Sequence, residues 1–375
     1  MNKPNLIKLE QLPDLLLTNT PLIDVRAPVE FVKGSIPGSI NLPILNDDER
    51  AQIGTMYKTE GQDAAVTLGH RLVSGSNKQE KINHWIQFIK SNPNCVIYCF
   101  RGGMRSQITQ QWLKEFGYDR PIIHGGYKAV RNYLSTQTED FALKNDFLTL
   151  TGPTGSGKTN LLHEISNQFA MIDLENIAQH RGSAFGSTTK PQPSQIDFEN
   201  KLSVKIMQLN SNKILNKKTV FIEDESALIG RCMVPKTLYD KYREAPVLWL
   251  DEPIENRVQN IFTEYILQTE IGSAVSDVNK TELAQNIFKK YYKAVNAISK
   301  KLGGLRSNEI TQLIENSEKE FLETKNLTSN CLWIEKLLTY YYDPIYLDNL
   351  ERRKVKIAFR GNYKNCVEFI RKNCN

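Results

Sequence analysis

No apolar run in this 375-residue chain approaches the roughly 20 residues needed to span a bilayer, which excludes a transmembrane helix. The opening stretch, Met1 to Glu10, has neither an apolar h-region nor a cleavage-like site. The expectation is therefore a soluble, cytoplasmic protein with no membrane partner. Six cysteines occur (Cys95, Cys99, Cys232, Cys331, Cys366, Cys374) but no C-x-x-C pair, so a zinc site has no sequence support. In a reducing compartment all six should be free thiols. No internal repeat or low-complexity tract is evident, which excludes a repeat array.

What is present is ordinary globular composition, 40% hydrophobic and 24% charged, over a length that implies two or three domains. The net charge of +6 is unevenly placed. Residues 351–375 hold eight Lys or Arg against Glu351 and Glu368, and the first 350 residues balance. A basic end of this kind suits a polyanion such as RNA, or it forms a solvated helix surface.

To about residue 135, short apolar runs alternate with turns and helical patches, as in a small α/β domain. Leu22 to Val25 reads as a strand, and Ile36 to Pro43 as a turn entering a further extended piece. His84 to Lys90 has helical spacing. The strand Cys95-Val-Ile-Tyr98 runs into Cys99-Phe-Arg-Gly-Gly-Met-Arg-Ser106, and a helix marked by Ile108, Trp112, Leu113 and Phe116 ends at Gly117. Two glycines between strand and helix let successive N–H groups turn inward on an anion. Arg101, Arg105 and the helix start add positive potential, which favours the thiolate of Cys99. Cys99 is thereby placed to attack or carry a group.

A second loop, Gly152-Pro-Thr-Gly-Ser-Gly-Lys-Thr159, follows the apolar run Phe147 to Leu150 and opens a helix. This is the phosphate-loop pattern in its required context: Gly152, Gly155, Ser156 and Gly157 cradle a phosphate, Lys158 adds charge, and the Thr159 hydroxyl can hold Mg²⁺. Downstream, Thr219-Val-Phe-Ile-Glu-Asp-Glu225 ends a strand in three carboxylates; Asp224 is the expected metal partner, with Glu223 and Glu225 as rivals. Between them, His180-Arg-Gly-Ser-Ala-Phe-Gly186 offers His180 and Arg181 as contacts for a substrate phosphate or a reacting base. Arg231 and Arg257 are weaker candidates of the same kind. From about residue 272 the pattern is helical, with Leu283, Ile287, Phe288, Tyr291, Val295, Ile298 and Leu302 on one stripe that stops at Gly303-Gly304. Further helices follow through Ile310 to Phe321 and Leu332 to Tyr342. The polar stretch Ser135 to Asp140 reads as a short linker, so the expected domains are 1–135, 145–271 and a helical, basic region 272–375 whose charge suits contact with RNA.

The first segment resembles a rhodanese domain through Asp24-Val-Arg26, Glu30-Phe31, Gly34, Ile36 to Pro43, the cysteine loop and His124-Gly-Gly-Tyr-Lys128. In that family the loop cysteine carries sulfur or selenium, which assigns Cys99 by direct match. Cys99-x-x-Gly102-x-x-Arg105-Ser106 also fits the cysteine-phosphatase loop, which usually has His where this chain has Tyr98. The whole chain resembles the tRNA 2-selenouridine synthase family, through both loops together with His180 to Ser183, Phe185-Gly186, Gln195, Phe198-Glu-Asn200, Glu223 to Ser226, Ile229-Gly230 and Tyr342-Asp-Pro344.

That resemblance implies a rhodanese-like α/β domain followed by a phosphate-loop NTPase-like α/β domain. It implies conversion of wobble 2-thiouridine in tRNA to 2-selenouridine, with selenophosphate as donor, through an S-geranylated intermediate made from geranyl diphosphate. Cys99, Arg101 and Arg105 would act at the selenium step. The phosphate loop, Asp224, His180, Arg181 and a Mg²⁺ ion held by Thr159 and Asp224 would act on the diphosphate. The competing reading is a phosphate-loop ATPase or kinase carrying a rhodanese-like or phosphatase-like regulatory domain.

Overall fold

The computed structural model describes residues 5–181, 191–211, 219–268 and 281–374. They form two compact units, one of residues 1–141, 192–212 and 231–235, the other of residues 142–191, 213–230 and 236–375.

In the first unit, β1 (Leu6–Ile7), β2 (Leu22–Asp24), β3 (Ser39–Asn41), β4 (Val96–Tyr98) and β5 (Ile122–Ile123) pair in the order β1-β5-β4-β2-β3, all parallel. The central strands β2 and β4 are fully buried, which is why they read as unbroken apolar runs. On one face Ile23, Ile97, Trp85 and Trp112 build a core with helices α1 (Asp47–Glu60), α2 (Gln62–Leu72), α3 (Gly75–Ser91) and α4 (Met104–Glu115). The start of α1 is a capping box: Glu49 N–H donates to Asn46 and the Glu49 carboxylate accepts from Asn46 N–H, both at 2.8 Å.

On the other face Leu12, Leu22, Val96, Tyr98 and Val130 pack with Val204 and Met207 of the helix Gln195–Ser211. The stretch expected as a linker is instead part of one helix, α5 (Gly126–Lys144). Val130, Leu134, Thr138 and Phe141 are all buried at helical spacing, and the polar residues between them hide that periodicity.

In the second unit, β6 (Asp146–Thr151), β7 (Ala170–Ile172), β8 (Thr219–Glu223), β9 (Val247–Leu250) and β10 (Ile357–Gly361) form a second parallel sheet, in the order β10-β9-β6-β8-β7. The helix α6 (Lys158–Ile165) follows β6, and α7 (Ile254–Phe262) follows β9. The helices α8 (Thr281–Leu302), α9 (Gly304–Thr324) and α10 (Asn330–Leu337) share a core of Phe288, Tyr291, Ile314, Phe321 and Trp333 with Val258 and Phe262 of α7. The side chain of Leu283, on the expected stripe, lies outside the described residues.

The chain then runs through α11 (Asp343–Arg353) into β10 and α12 (Tyr363–Asn373). The region from 272 was expected to be helical, yet it supplies an edge strand to the phosphate-loop sheet. Its residues are mostly exposed or half-exposed, so β10 lacks the apolar run by which a central parallel strand is recognised. Among the described residues, no helix is long and apolar enough to cross a membrane.

Candidate functional site

The cysteine loop begins where β4 ends. Cys99 is only 3% exposed, and its Sγ lies 3.2 Å from the Ser106 hydroxyl, which also reaches the Gly103 carbonyl at 3.0 Å. The loop is held from behind by Gly125 and Gly126 of the His124-Gly-Gly-Tyr-Lys128 run. Tyr127 N–H donates to the Cys99 carbonyl at 2.9 Å and Lys128 N–H to the Phe100 carbonyl at 3.0 Å. A β-carbon on Gly126, at φ +60°, would sit 2.4 Å from both Cys99 O and Gly102 N. Only glycine permits that approach.

Beside the loop the first unit has a cleft of about 930 Å³. Its walls carry Lys33, Arg50, Lys58, Arg101 and Arg105 against one carboxylate, Glu30. Arg101 is exposed, with its guanidinium beside the Phe100 ring. Arg105 forms a two-pronged pair with Glu30, at 2.6 and 3.2 Å, so part of its charge is already matched. Burial raises the Glu30 pKa, but the hydrogen bond and charge of Arg105 outweigh it and hold the carboxyl below its ordinary value. Deeper, Arg26 and Asp24 are a buried pair at 2.6 Å, with the Arg26 guanidinium 4.0 Å over the Tyr127 ring. Asp24-Val-Arg26 is thus scaffold for the loop and the cleft wall.

In the second unit the phosphate loop joins β6 to α6. Gly155 and Gly157 have φ of +83° and +85°. At Gly155 a β-carbon would meet the Arg257 carbonyl of α7 at 2.7 Å. The α7 helix braces the loop: Arg257 Nε donates to Thr154 O at 3.1 Å and Asn260 Nδ2 to Gly155 O at 2.8 Å. Arg257 is itself paired with Asp343 at 2.7 Å, which gives Tyr342-Asp-Pro344 a positioning role. Lys158 Nζ rests on Gly152 O at 2.8 Å, closing the loop on itself. Ser156 Oγ is buried with no hydrogen-bond partner.

A cavity of about 300 Å³ opens on this loop, and Glu175, Arg181, Glu223 and Glu225 line it with the loop residues. Thr159 Oγ1 donates to Glu223 Oε1 at 2.7 Å, while Glu223 Oε2 is buried without a partner. Burial, then the charges of Glu175, Asp173 and Glu225, push the Glu223 carboxyl well above the carboxylate range. Burial and Glu175 likewise push Glu225 up to about 8.

Asp224, favoured on the sequence as the metal partner, points elsewhere. It accepts from Thr151 Oγ1 at 2.6 Å, Arg243 at 2.9 Å and Arg353 at 2.8 Å. Adjacent residues of a strand face opposite sides, so only one of the two carboxylates at the end of β8 can meet the loop, and that one is Glu223. Among the described residues, no cluster of three metal-ligating side chains is present. The donor set still fits a magnesium ion, which is commonly held by one or two protein oxygens with phosphate and water supplying the rest.

A family model described as "Rhodanese-like domain" matches residues 8–133, and one described as "tRNA 2-selenouridine synthase AAA domain" matches residues 145–375. A protein named tRNA 2-selenouridine synthase from Nitrosomonas eutropha is 48% identical, over 99% of this chain and 98% of its own. One of the same name from Bdellovibrio bacteriovorus is 48% identical, over 97% and 98%. This chain belongs to the tRNA 2-selenouridine synthase family. The expected order, a rhodanese-like α/β domain and then a phosphate-loop α/β domain, therefore holds.

Of the remaining residues quoted for the family, Arg181 reaches the phosphate-loop cavity, donating to Glu264 O at 3.0 Å and lying 4.6 Å over the Tyr265 ring. His180 is not among the residues that line it; its Nδ1 is buried without a partner, and burial lowers its pKa. Ser183, Phe185 and Gly186 lie outside the described residues. Asn200 is fully buried in the first unit, donating to Ser35 O at 2.7 Å and accepting from Arg131 at 3.1 Å. Arg231 donates to the Gln192 side chain and backbone. The basic end is less free than its sequence implied. Five of its eight cations pair with acids: Arg352 with Asp348, Arg353 with Asp224, Arg360 with Asp251, Arg371 with Glu164 and Lys372 with Glu368.

Proposed function

We propose that this protein is a tRNA-modifying transferase that replaces the sulfur of wobble 2-thiouridine with selenium from selenophosphate, by way of an S-geranylated tRNA made from geranyl diphosphate. The observation that carries this reading is the presence of two anion-handling sites, a buried thiol beside a cationic cleft and a phosphate cradle, in a chain related end to end to proteins named tRNA 2-selenouridine synthase.

A thione sulfur is a poor leaving group, and alkylation converts it into one that departs as a thiol. In the second unit the glycine-rich loop and Lys158 bind the donor diphosphate and disperse the charge that grows on it as the prenyl carbon is transferred. Thr159 and Glu223 would hold a magnesium ion, which when bound neutralises further charge on that leaving group. Arg181 adds a second cation to the same cavity. In the first unit the cleft beside Cys99 receives the anionic selenium donor and the tRNA phosphates, and Cys99 serves selenium delivery with Arg101 on the rim.

The competing reading, in which the Cys99 loop works as a phosphatase, needs an arginine free to grip a tetrahedral anion over the thiolate. Arg105 is committed to Glu30, which weighs against it.

The test is nucleoside mass spectrometry on 2-thiouridine-containing tRNA incubated with the protein, Mg²⁺ and the two donors, each omitted in turn. Lys158→Ala should stop geranyl transfer. Cys99→Ser should stop selenium entry and leave geranylated tRNA. If both variants fail at one step, the division of labour is wrong; unchanged tRNA with consumption of ATP would overturn the reading altogether.

A further inference from the structure

The first unit contains a second cavity that the sites above do not use. It measures about 370 Å³ and is enclosed by α1, α2 and α4, with Ile53, Ala65, Val66, Val73, Ile108 and Trp112 among its walls. Protein interiors are packed to crystal density, and a void of ~150 Å³ already admits a benzene-sized guest. A cavity of this size is within the range of small-molecule sites and far beyond a packing defect. Its lining includes the partly exposed Met104 and Tyr57, 41% and 58% exposed, with the Met104 sulfur accepting from Gln62 Nε2 at 3.8 Å.

Two further observations restrict the guest. Leu45, Ile53, Tyr57 and Arg105 line both this cavity and the cationic cleft beside the cysteine loop, so the apolar chamber and the anion-attracting cleft adjoin across a shared wall. The helix α4 that rises from the cysteine loop supplies Met104 and Ile108 to the chamber. A guest that uses both spaces is an apolar chain joined to an anionic head, with the junction near the cysteine loop.

We infer that this chamber holds the geranyl chain of S-geranylated tRNA while the anticodon phosphates occupy the cationic cleft. The inference rests on the function proposed above and adds a leaving-group site in the rhodanese-like unit, apart from the phosphate loop where the chain is attached. In the step it serves, selenophosphate held at the Cys99 loop bonds through its selenium to C2 of the base. The C2–S bond breaks, and geranyl thiol leaves with a proton. Water then cleaves the Se–P bond, so the products are 2-selenouridine, geranyl thiol and phosphate. No oxidant or reductant is needed.

The test fills the chamber with Ala65→Phe and, separately, Val66→Phe, and follows two reactions: geranylation of thiolated tRNA, and selenium entry into tRNA geranylated beforehand. Selenium entry should fall about tenfold or more, with geranylated tRNA persisting, while geranyl transfer proceeds at the wild-type rate. In parallel, the wild-type protein should bind the 5′-monophosphate of S-geranyl-2-thiouridine at least about tenfold more tightly than that of 2-thiouridine. Unchanged selenium entry in variants with a wild-type unfolding midpoint overturns the proposal, as does equal affinity for the two nucleotides. That comparison decides the matter if neither variant folds. Failure of the underlying reading looks different: the wild-type protein then forms no geranylated nucleoside from geranyl diphosphate at all.

Discussion

Substituting Asp343 by Asn tests the brace behind the phosphate loop. The Arg257 side chain is 6% exposed and its two terminal nitrogens reach Asp343 at 2.7 and 3.1 Å, while its Nε holds the Thr154 carbonyl. Asparagine keeps the shape but can accept only one of those two bonds, and it leaves a buried guanidinium without its counter-charge. Breaking a fully buried pair costs about 3–5 kcal/mol. Asp343 is 26% exposed, so water recovers part of the loss and about 2–3 kcal/mol is expected. Urea unfolding followed by a probe in the phosphate-loop unit measures this. Arg257→Met closes a double-mutant cycle in which Asp343→Asn should cost under about 0.5 kcal/mol once the arginine is gone. Because Arg257 and Asn260 hold the consecutive carbonyls of Thr154 and Gly155, inorganic diphosphate should also bind about tenfold more weakly to Asp343→Asn, equivalent to about 1.4 kcal/mol. An effect on stability below about 0.5 kcal/mol, or full additivity in the cycle, would refute the brace.

Two other outcomes follow from the same geometry. Gly126→Ala forces a β-carbon onto Cys99 O and Gly102 N from a left-handed backbone, so it should destabilise the first unit by about 2 kcal/mol or more, readable as a lowered thermal midpoint, and should slow selenium entry without touching geranyl transfer. Glu225, pushed up from 4.5 to about 8, holds a proton in the folded protein that the unfolded chain has released, so stability should fall as pH rises from about 4.5 to about 8. Glu225→Gln should flatten that decline. Magnesium with diphosphate must displace protons from Glu223 and Glu225, so calorimetry should show proton release and tighter binding as pH rises toward 8; pH-independent affinity would contradict the buried acidic cluster.

Both loops were legible because their chemistry is local. Cys99 and Ser106, or Gly152 and Thr159, are close in the chain, and a strand before and a helix after them set their geometry. Partners brought from far away were not legible. Arg105 meets Glu30 across 75 residues, Arg257 meets Asp343 across 86, and Asn200 meets Ser35 across 165. No spacing rule reports such pairs. The choice between Glu223 and Asp224 failed for another reason: the acidic run names three candidates, and only the register of β8 says which one faces Thr159. Likewise Arg352 to Arg371 read as free charge until the strand β10 set their neighbours.

The helix Gln195–Ser211 belongs to the first unit, although residues 142–191 of the second unit precede it in the chain. During synthesis the earlier unit must therefore wait. Leu12, Leu16 and Leu22 have emerged, but Val204 and Met207, which complete their core, are still unmade while β6, α6 and β7 leave the ribosome. At translation rates of about 5–20 residues per second that interval lasts several seconds, long enough for chaperones to engage the uncovered face. The same interleaving means that no single cut yields two whole halves. A fragment ending at residue 141 would leave its first unit open, and rejoining it to the remainder would be complementation of an incomplete fold.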